Sequence, residues 1–343
     1  MKYLFTIFLA IGIGHTMNAQ DIHYTQINQN NMMLNPALTG MFEGWERVGV
    51  NHRSQWISTG TKFHTTTISA DLNLLKPKRG NKAYMGVGLL LYNDIGGDSR
   101  FGTRQILFNM SAVVPIADMH TISAGIQGGM GQRTGDFTEL VFGNQWDGNE
   151  FNSHINPNEN NALVSKAFAD LGFGVNYRYG NYKLGFARDD ATELRIGFAY
   201  FHANKPDISY NVGFKEALPG KMAFNGSFLK DISGSSVGFH FLFNHFIQGP
   251  HQETMIGSML RYRISSASKT TGLKKDTYLI GGLMFRAYDA IAPVIYLQWK
   301  GFNFGCSYDV TISKLGQATR FGAIEFSLSY TNNGFALFKR RTP

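Results

Sequence analysis

Phe302-Asn303-Phe304-Gly305-Cys306-Ser307-Tyr308-Asp309-Val310 and the run from Phe321 to Tyr330 decide how this chain folds. In the first, Phe302, Phe304, Cys306, Tyr308 and Val310 share one parity, and Asn303, Gly305, Ser307 and Asp309 share the other. In the second, Ile324, Phe326, Leu328 and Tyr330 oppose Glu325, Ser327 and Ser329. Strand side chains point alternately to opposite faces, so each run has one greasy face and one polar face. A soluble sandwich buries the greasy face against a second sheet. A membrane barrel turns it to lipid and keeps the polar face for its lumen.

The N-terminus favours the barrel. Lys2, the apolar run Tyr3 to Gly14 and the small residue Ala19 read as a secretory signal peptide over residues 1–19, cleaved after Ala19. Beyond it no apolar run is long enough for a helical span. Hydrophobic residues make up 43% and charged residues only 16%, below the quarter or so of an average domain. The 39 glycines against 9 prolines suit a curved sheet of many strands. Cys306 is the single cysteine, which excludes an internal disulfide or a multi-cysteine metal site. The net charge of +8 does not argue for nucleic acid: the chain is exported, and its basic residues form no aromatic-interleaved patch.

In chain order, residues 20–43 form an amide-rich N-terminal arm with neither helical stripe nor alternation, expected in or under a barrel mouth. Alternating runs then follow from Val48 to the opening pair, about fourteen strands of about ten residues, with twelve and sixteen as the bounds. The expectation is therefore an all-β fold, a transmembrane antiparallel β-barrel over residues 44–338, with a basic tail at 339–343. Tyr92, Tyr177, Tyr200, Tyr262, Tyr278, Tyr288, Tyr308 and Tyr330 lie near run ends, as interfacial girdles require.

With the N-terminus starting in the periplasm, Gly131 to Ser165 becomes the longest outer loop. Lys76, Lys78, Arg79, Lys82, Lys269, Lys274, Lys275, Lys339, Arg340 and Arg341 fall on the inner rim. That rim suits an acidic periplasmic partner, or equally solubility and lipid headgroups. Closure sets the first strand beside the last and predicts a lumenal charge network of Arg47, Arg53, Asp71, Asp309 and Glu325, since buried charges need partners. No catalytic motif occurs, and no cofactor or metal site is expected. His202 and His240 read as packing or lumen groups, and Asp147-Gly148-Asn149-Glu150 is only a fragment of a calcium loop.

Several pieces, kept in order, carry a resemblance. They are Gln20-Asp21 with Tyr24 and Gln26; Asn35-Pro36-Ala37 with Gly40; Arg53-Ser54-Gln55-Trp56; and Asn93-Asp94-Ile95-Gly96. Later come His202 with Pro206, Tyr308-Asp309 with Ile312-Ser313-Lys314-Leu315, and Glu325 to Tyr330. Together they resemble the PorP/SprF family of outer-membrane proteins of the type IX secretion system and gliding machinery of the Bacteroidota. The chain departs from the pattern at Asp21-Ile22-His23, where a proline is expected after the aspartate. The resemblance implies a non-enzymatic outer-membrane role in protein secretion. Its partners would be lipid, secreted cargo or an adhesin carrying a type IX C-terminal domain, and periplasmic secretion-system or peptidoglycan-binding proteins. The competing class is a passive pore with Arg53, Arg178, Arg195, Arg261 and Arg263 as constricting charges.

Overall fold

The computed structural model describes residues 23–56, 63–76, 82–138, 140–152, 154–156, 158, 163–180, 191–209, 215–265, 276–313 and 322–333. The signal peptide expected at 1–19 and the basic residues at 78, 79, 269, 274, 275 and 339–341 lie outside them. Fourteen antiparallel strands close into one barrel: β1 (Glu46–Gln55), β2 (Phe63–Leu74), β3 (Tyr84–Gly96), β4 (Phe101–Ala117), β5 (His120–Asp136), β6 (Leu163–Gly180), β7 (Thr192–Phe201), β8 (Lys221–Asp231), β9 (Val237–Gln248), β10 (His251–Ser265), β11 (Thr277–Arg286), β12 (Ala290–Trp299), β13 (Phe302–Thr311) and β14 (Ala323–Asn332). β1 pairs with β14, Arg53 opposite Glu325. No described helix is long and apolar enough to cross a membrane; the strands cross.

Burial follows the parity of the sequence. On β13 Phe304 and Tyr308 are exposed while Ser307 and Asp309 are buried; on β14 Phe326 and Leu328 are exposed while Glu325 is 0% exposed. The greasy face thus points out and the polar face in. This is an outer-membrane β-barrel whose Val, Ile, Leu and Phe side chains meet hydrocarbon.

The register fixes the barrel's shape. From Ser54 a line of paired residues climbs through His64, Ile95, Gly102 and Thr134 to Ser165 on β6. The opposite way it passes Ile324 and Tyr308, continues on β11 to β7 through Leu283, Ser258, Phe241, Phe228 and Leu194, and reaches Tyr179 on the same β6. The offset, 179 − 165 = 14 residues, is the stagger of the closed sheet. Fourteen strands with that stagger tilt by about 35°, so each step along the line changes height by about 2.7 Å. On this scale Tyr177, Tyr179, Tyr262, Trp299 and Tyr330 gather near one level and Tyr200 and Tyr308 near another, with apolar side chains between. These are the two interfacial girdles, on the order of 20 Å apart.

Two expectations on this geometry are corrected. Tyr92 and Tyr278 face inward: Tyr92 is 7% exposed and Tyr278 carries Arg261 over its ring. Position near a strand end did not decide their direction; parity did. The long connection is shorter than Gly131 to Ser165, because β5 continues to Asp136 and β6 begins at Leu163, leaving 137–162. Its β5–β6 walls rise well above the upper girdle. The rim carrying 137–162 and the 202–220 connection is the outer one, since outer-membrane barrels keep long loops outside and short turns in the periplasm.

Candidate functional site

The N-terminal arm lies inside the lumen. Residues 23–45 descend from the outer rim to the inner rim through one-turn pieces, Ile27–Gln29, Asn31–Leu34 and Pro36–Leu38. Pro36 at the start of the last piece needs no amide donor there.

The upper anchor is Glu325. Its carboxylate accepts the backbone N–H groups of Thr25 and Gln26, both at 2.9 Å, the Asn51 amide at 3.1 Å and Arg53 Nη1 at 3.3 Å. Arg53 Nη2 meets Asp309 Oδ2 at 2.7 Å, and Arg286 Nη2 reaches the same oxygen at 3.1 Å. The Thr25 hydroxyl donates to Asp309 at 2.7 Å and accepts from Arg53 at 3.0 Å and Arg286 at 2.8 Å. The Gln26 side chain donates to Ser307 and to the Glu325 carbonyl and accepts from Ser327. Higher still, His23 pairs with Glu253. Every charge here has an opposite charge and hydrogen bonds, which is what makes buried ions tolerable.

Below the anchor the arm supplies the barrel with an apolar core. Tyr24, Ile27, Leu34, Leu38 and Met41 pack on Leu242, Met255, Met259, Ile280, Met284 and Tyr296 from the wall. Asn35 then works as a polar pin. Its amide donates to the Val175 carbonyl and to Asn225 Oδ1, each at 3.0 Å, and its Oδ1 accepts from Ala37 N at 2.9 Å. Ser111 and Ser123 donate to the Thr39 and Ala37 carbonyls at 2.6 and 2.7 Å. The wall must be thin where the arm's backbone passes. A Cβ on Gly86 would overlap the Thr39 carbonyl, and one on Gly125 the Pro36 carbonyl.

The lower anchor is Asp71. It accepts Gly40 N at 2.9 Å and is held by Arg47 Nη2 at 2.7 Å. Gly40 sits at φ +68°, a conformation that side chains disfavour. Below it Lys76 Nζ donates to the Phe42 carbonyl at 2.7 Å, and Asn73 donates to the Gly44 carbonyl at 2.9 Å. Burial pushes the Lys76 ammonium down to about 8.

The predicted charge network is therefore two separate clusters. Arg53, Asp309 and Glu325 meet near the outer rim; Arg47 and Asp71 meet near the inner rim. The reason is the arm, which needs a charged seat at each end and an apolar middle. Of the other predicted residues, Asn35, Pro36, Ala37 and Gly40 belong to the arm, and Gln55 and Trp56 line the outer mouth. Asp94 accepts from the Thr65 hydroxyl at 2.6 Å, and Gly96 pairs with Phe63. His202 meets Asp170 at 2.9 Å, the Pro206 carbonyl accepts Leu218 N, and Tyr308 faces lipid. Lys82 is exposed at the inner rim. Asp147 spends its carboxylate closing its own turn: backbone N–H groups of Glu150 and Asn149 bind it and hold its proton affinity below the usual range. Among the described residues no group of His, Cys, Asp and Glu could hold a metal ion.

Sequence reading missed Thr25, Arg286 and Glu253. Arg286 was hidden by the weak alternation of Thr277 to Ala287, and Thr25 carried no signal because an unpatterned arm does not announce which backbone amides it will offer. Around the arm's outer end a cavity of about 400 Å³ remains, lined by His23, Arg53, Trp56, Lys221, Phe246 and Arg286 among others.

Residues 16–330 match the family described as type IX secretion system membrane protein PorP/SprF. No curated protein matches the chain. Solved structures similar in fold include the monoaromatic hydrocarbon channel CymD, at 12% identity and TM-score 0.45 over 95% of both chains. The translocator domain of the autotransporter NalP from Neisseria meningitidis matches at 10% identity and TM-score 0.38, over 89% of this chain and 94% of that one. BamA from Haemophilus ducreyi matches at 8% and 0.42, over 84% and 70%.

Proposed function

Because the chain belongs to the PorP/SprF family of type IX secretion system membrane proteins, we propose that it is a plugged, non-conducting and non-enzymatic barrel that works through its rims. In this reading it supports export or surface anchoring of a cargo or adhesin through that partner's type IX C-terminal domain at the outer rim. Its inner rim links the outer membrane to periplasmic secretion or peptidoglycan-binding components. The observation that carries the proposal is the arm, anchored at Glu325 and at Asp71 with an apolar core between. A solute pore needs a wet path, and an apolar core inside the lumen argues against one.

The test has two parts. Purified protein in planar bilayers should be electrically silent; steady anion conductance would restore the passive-pore reading. Replacing 137–162, or neutralising Lys82 with the basic residues at 78, 79, 269, 274 and 275, should impair adhesin display and general secretion differentially. If neither replacement changes either readout, the rims are not the working surfaces.

A further inference from the structure

β5 and β6 stay paired up to Asp136 and Leu163, but β7 leaves β6 early. The β6–β7 pairing covers only Phe173 to Gly180, since β7 ends at Phe201. On the β7 side, Ala203 N donates to the Leu171 carbonyl at 2.8 Å. The Asn204 side chain then stands in for one more peptide: its Nδ2 donates to the Ala169 carbonyl at 2.7 Å and its Oδ1 accepts Leu171 N at 3.2 Å. There the ladder stops. The chain turns away into a small hairpin where Asp207 bridges Ala217, tied to the wall's inner face by Lys166–Asp207 and Arg133–Glu216.

Alternate residues of an antiparallel strand present both backbone groups to the same neighbour. Leu171 uses both of its groups and Ala169 its C=O on the β7 side, so Ala167 and Ser165 aim theirs the same way. Among the described residues, the Ala167 and Ser165 N–H and C=O groups on that side have no partner. By the register, Ser165 stands five steps above Ser54, on the order of 15–20 Å above the upper girdle. The edge is therefore in the external aqueous phase.

Open edges are normally blunted with charge, proline or a bulge. This one carries none on its outward face: Ser165, Ala167 and Ala169 are small, neutral and exposed, while Lys166 points inward to Asp207. Small side chains let another backbone come close. The edge lies above the ends of β7 and β8 on the external side, so a strand laid along it comes from outside the membrane.

We infer that the outer edge of β6, Ser165 to Ala169, is a β-augmentation site that takes an extended segment of a secreted type IX cargo as an added strand. This names a binding surface for the secretion role proposed above and rests on it. Main-chain hydrogen bonds supply affinity with little demand on sequence, as in other strand-addition complexes, which suits a protein that must accept its cargo by shape.

The test is Ala167→Pro. Proline removes the N–H that faces away from β5 and leaves the β5 ladder intact, because Ala167 does not donate to β5. The barrel should keep its heat-modifiable band. Surface display of a reporter fused to a type IX C-terminal domain should fall about tenfold or more, equivalent to about 1.4 kcal/mol of binding. Ala167→Lys, which alters no backbone group, should act the same way and decides the matter if the proline variant fails to fold. A photoreactive residue at Ser165 should cross-link the reporter, and Ala167→Pro should abolish the adduct. Normal display in both variants overturns the inference, as does an adduct only to this chain's own loop or to a second copy. A strain lacking the whole protein reports the secretion role separately: loss there with normal display in Ala167→Pro sinks the edge alone.

Discussion

Replacing Glu325 with alanine should release the upper end of the arm. The carboxylate is 0% exposed and accepts four donors, two of them backbone N–H groups of the arm. Each hydrogen bond to a charged group contributes about 1.5–3 kcal/mol, but the four are not additive, since the donors regain one another or water. Removing one partner of a buried ion pair costs about 3–5 kcal/mol, and Arg53 keeps Asp309, which places the loss near the lower end, about 3 kcal/mol. Glu325→Gln keeps one acceptor oxygen but turns an amide donor toward the arm's own donors, so it should recover less than half of that. Urea unfolding of the purified barrel in detergent, followed by its gel shift, measures the stability change. Conductance in planar bilayers reports whether the arm has left the lumen. A loss below about 1 kcal/mol with a silent bilayer would falsify the anchor, because it would mean the arm is held by its apolar middle alone.

Gly86→Ala and Gly125→Ala should each unseat the arm by steric overlap with the Thr39 and Pro36 carbonyls, seen as raised conductance with an intact heat-modifiable band. Asn35→Ala should destabilise by about 1–3 kcal/mol in the same urea assay, because Asn225 and the Val175 carbonyl lose a buried donor. Lys76 should make the foot of the arm pH-sensitive: its folded value, about 8, lies below the ordinary 10.5. The unfolded chain therefore binds more protons between those values, and stability should rise across that window and stay flat below it. Lys76→Met should abolish the rise, as read by unfolding at pH 7 and at pH 10.

The barrel was legible because lipid imposes one rule on every strand. Ile324, Phe326 and Leu328 must alternate with Glu325 and Ser327 or the strand does not cross, so strand number and facing follow from parity. Tyr92 and Tyr278 were misjudged where that rule was set aside for nearness to a strand end. The charged residues of the site were also visible one by one, since Arg53, Asp309 and Glu325 are costly inside a wall and must meet. Their grouping was not visible. Arg47 and Asp71 join no common network with them, because the arm's apolar middle separates the two ends, and no periodic pattern marks residues 23–45. Only Trp45, at its lower end, joins a strand ladder, to Asn332 and Asn73, so the rest of the arm's path is set by glycine clearances and single hydrogen bonds that only the closed barrel brings together.

The arm also answers a problem of size. Fourteen strands tilted by about 35° make a cylinder of about 13 Å radius. Inward side chains of ordinary length leave a channel several ångströms wide, as in conducting barrels of similar strand number. This wall instead uses inward glycine, serine and asparagine at Gly86, Ser111, Ser123, Gly125 and Asn225, where long side chains would have narrowed the bore. Small residues would make a wide, unstable lumen unless something else fills it. The hydroxyl and amide groups of Ser111, Ser123 and Asn225 bond the arm's backbone carbonyls and Asn35, so the wall is shaped as the complement of a peptide. A barrel built to hold its own chain so closely gains nothing from permeability, which supports the proposal that it works through the parts the arm leaves uncovered: the two rims, and the strand edge that stands above the outer one.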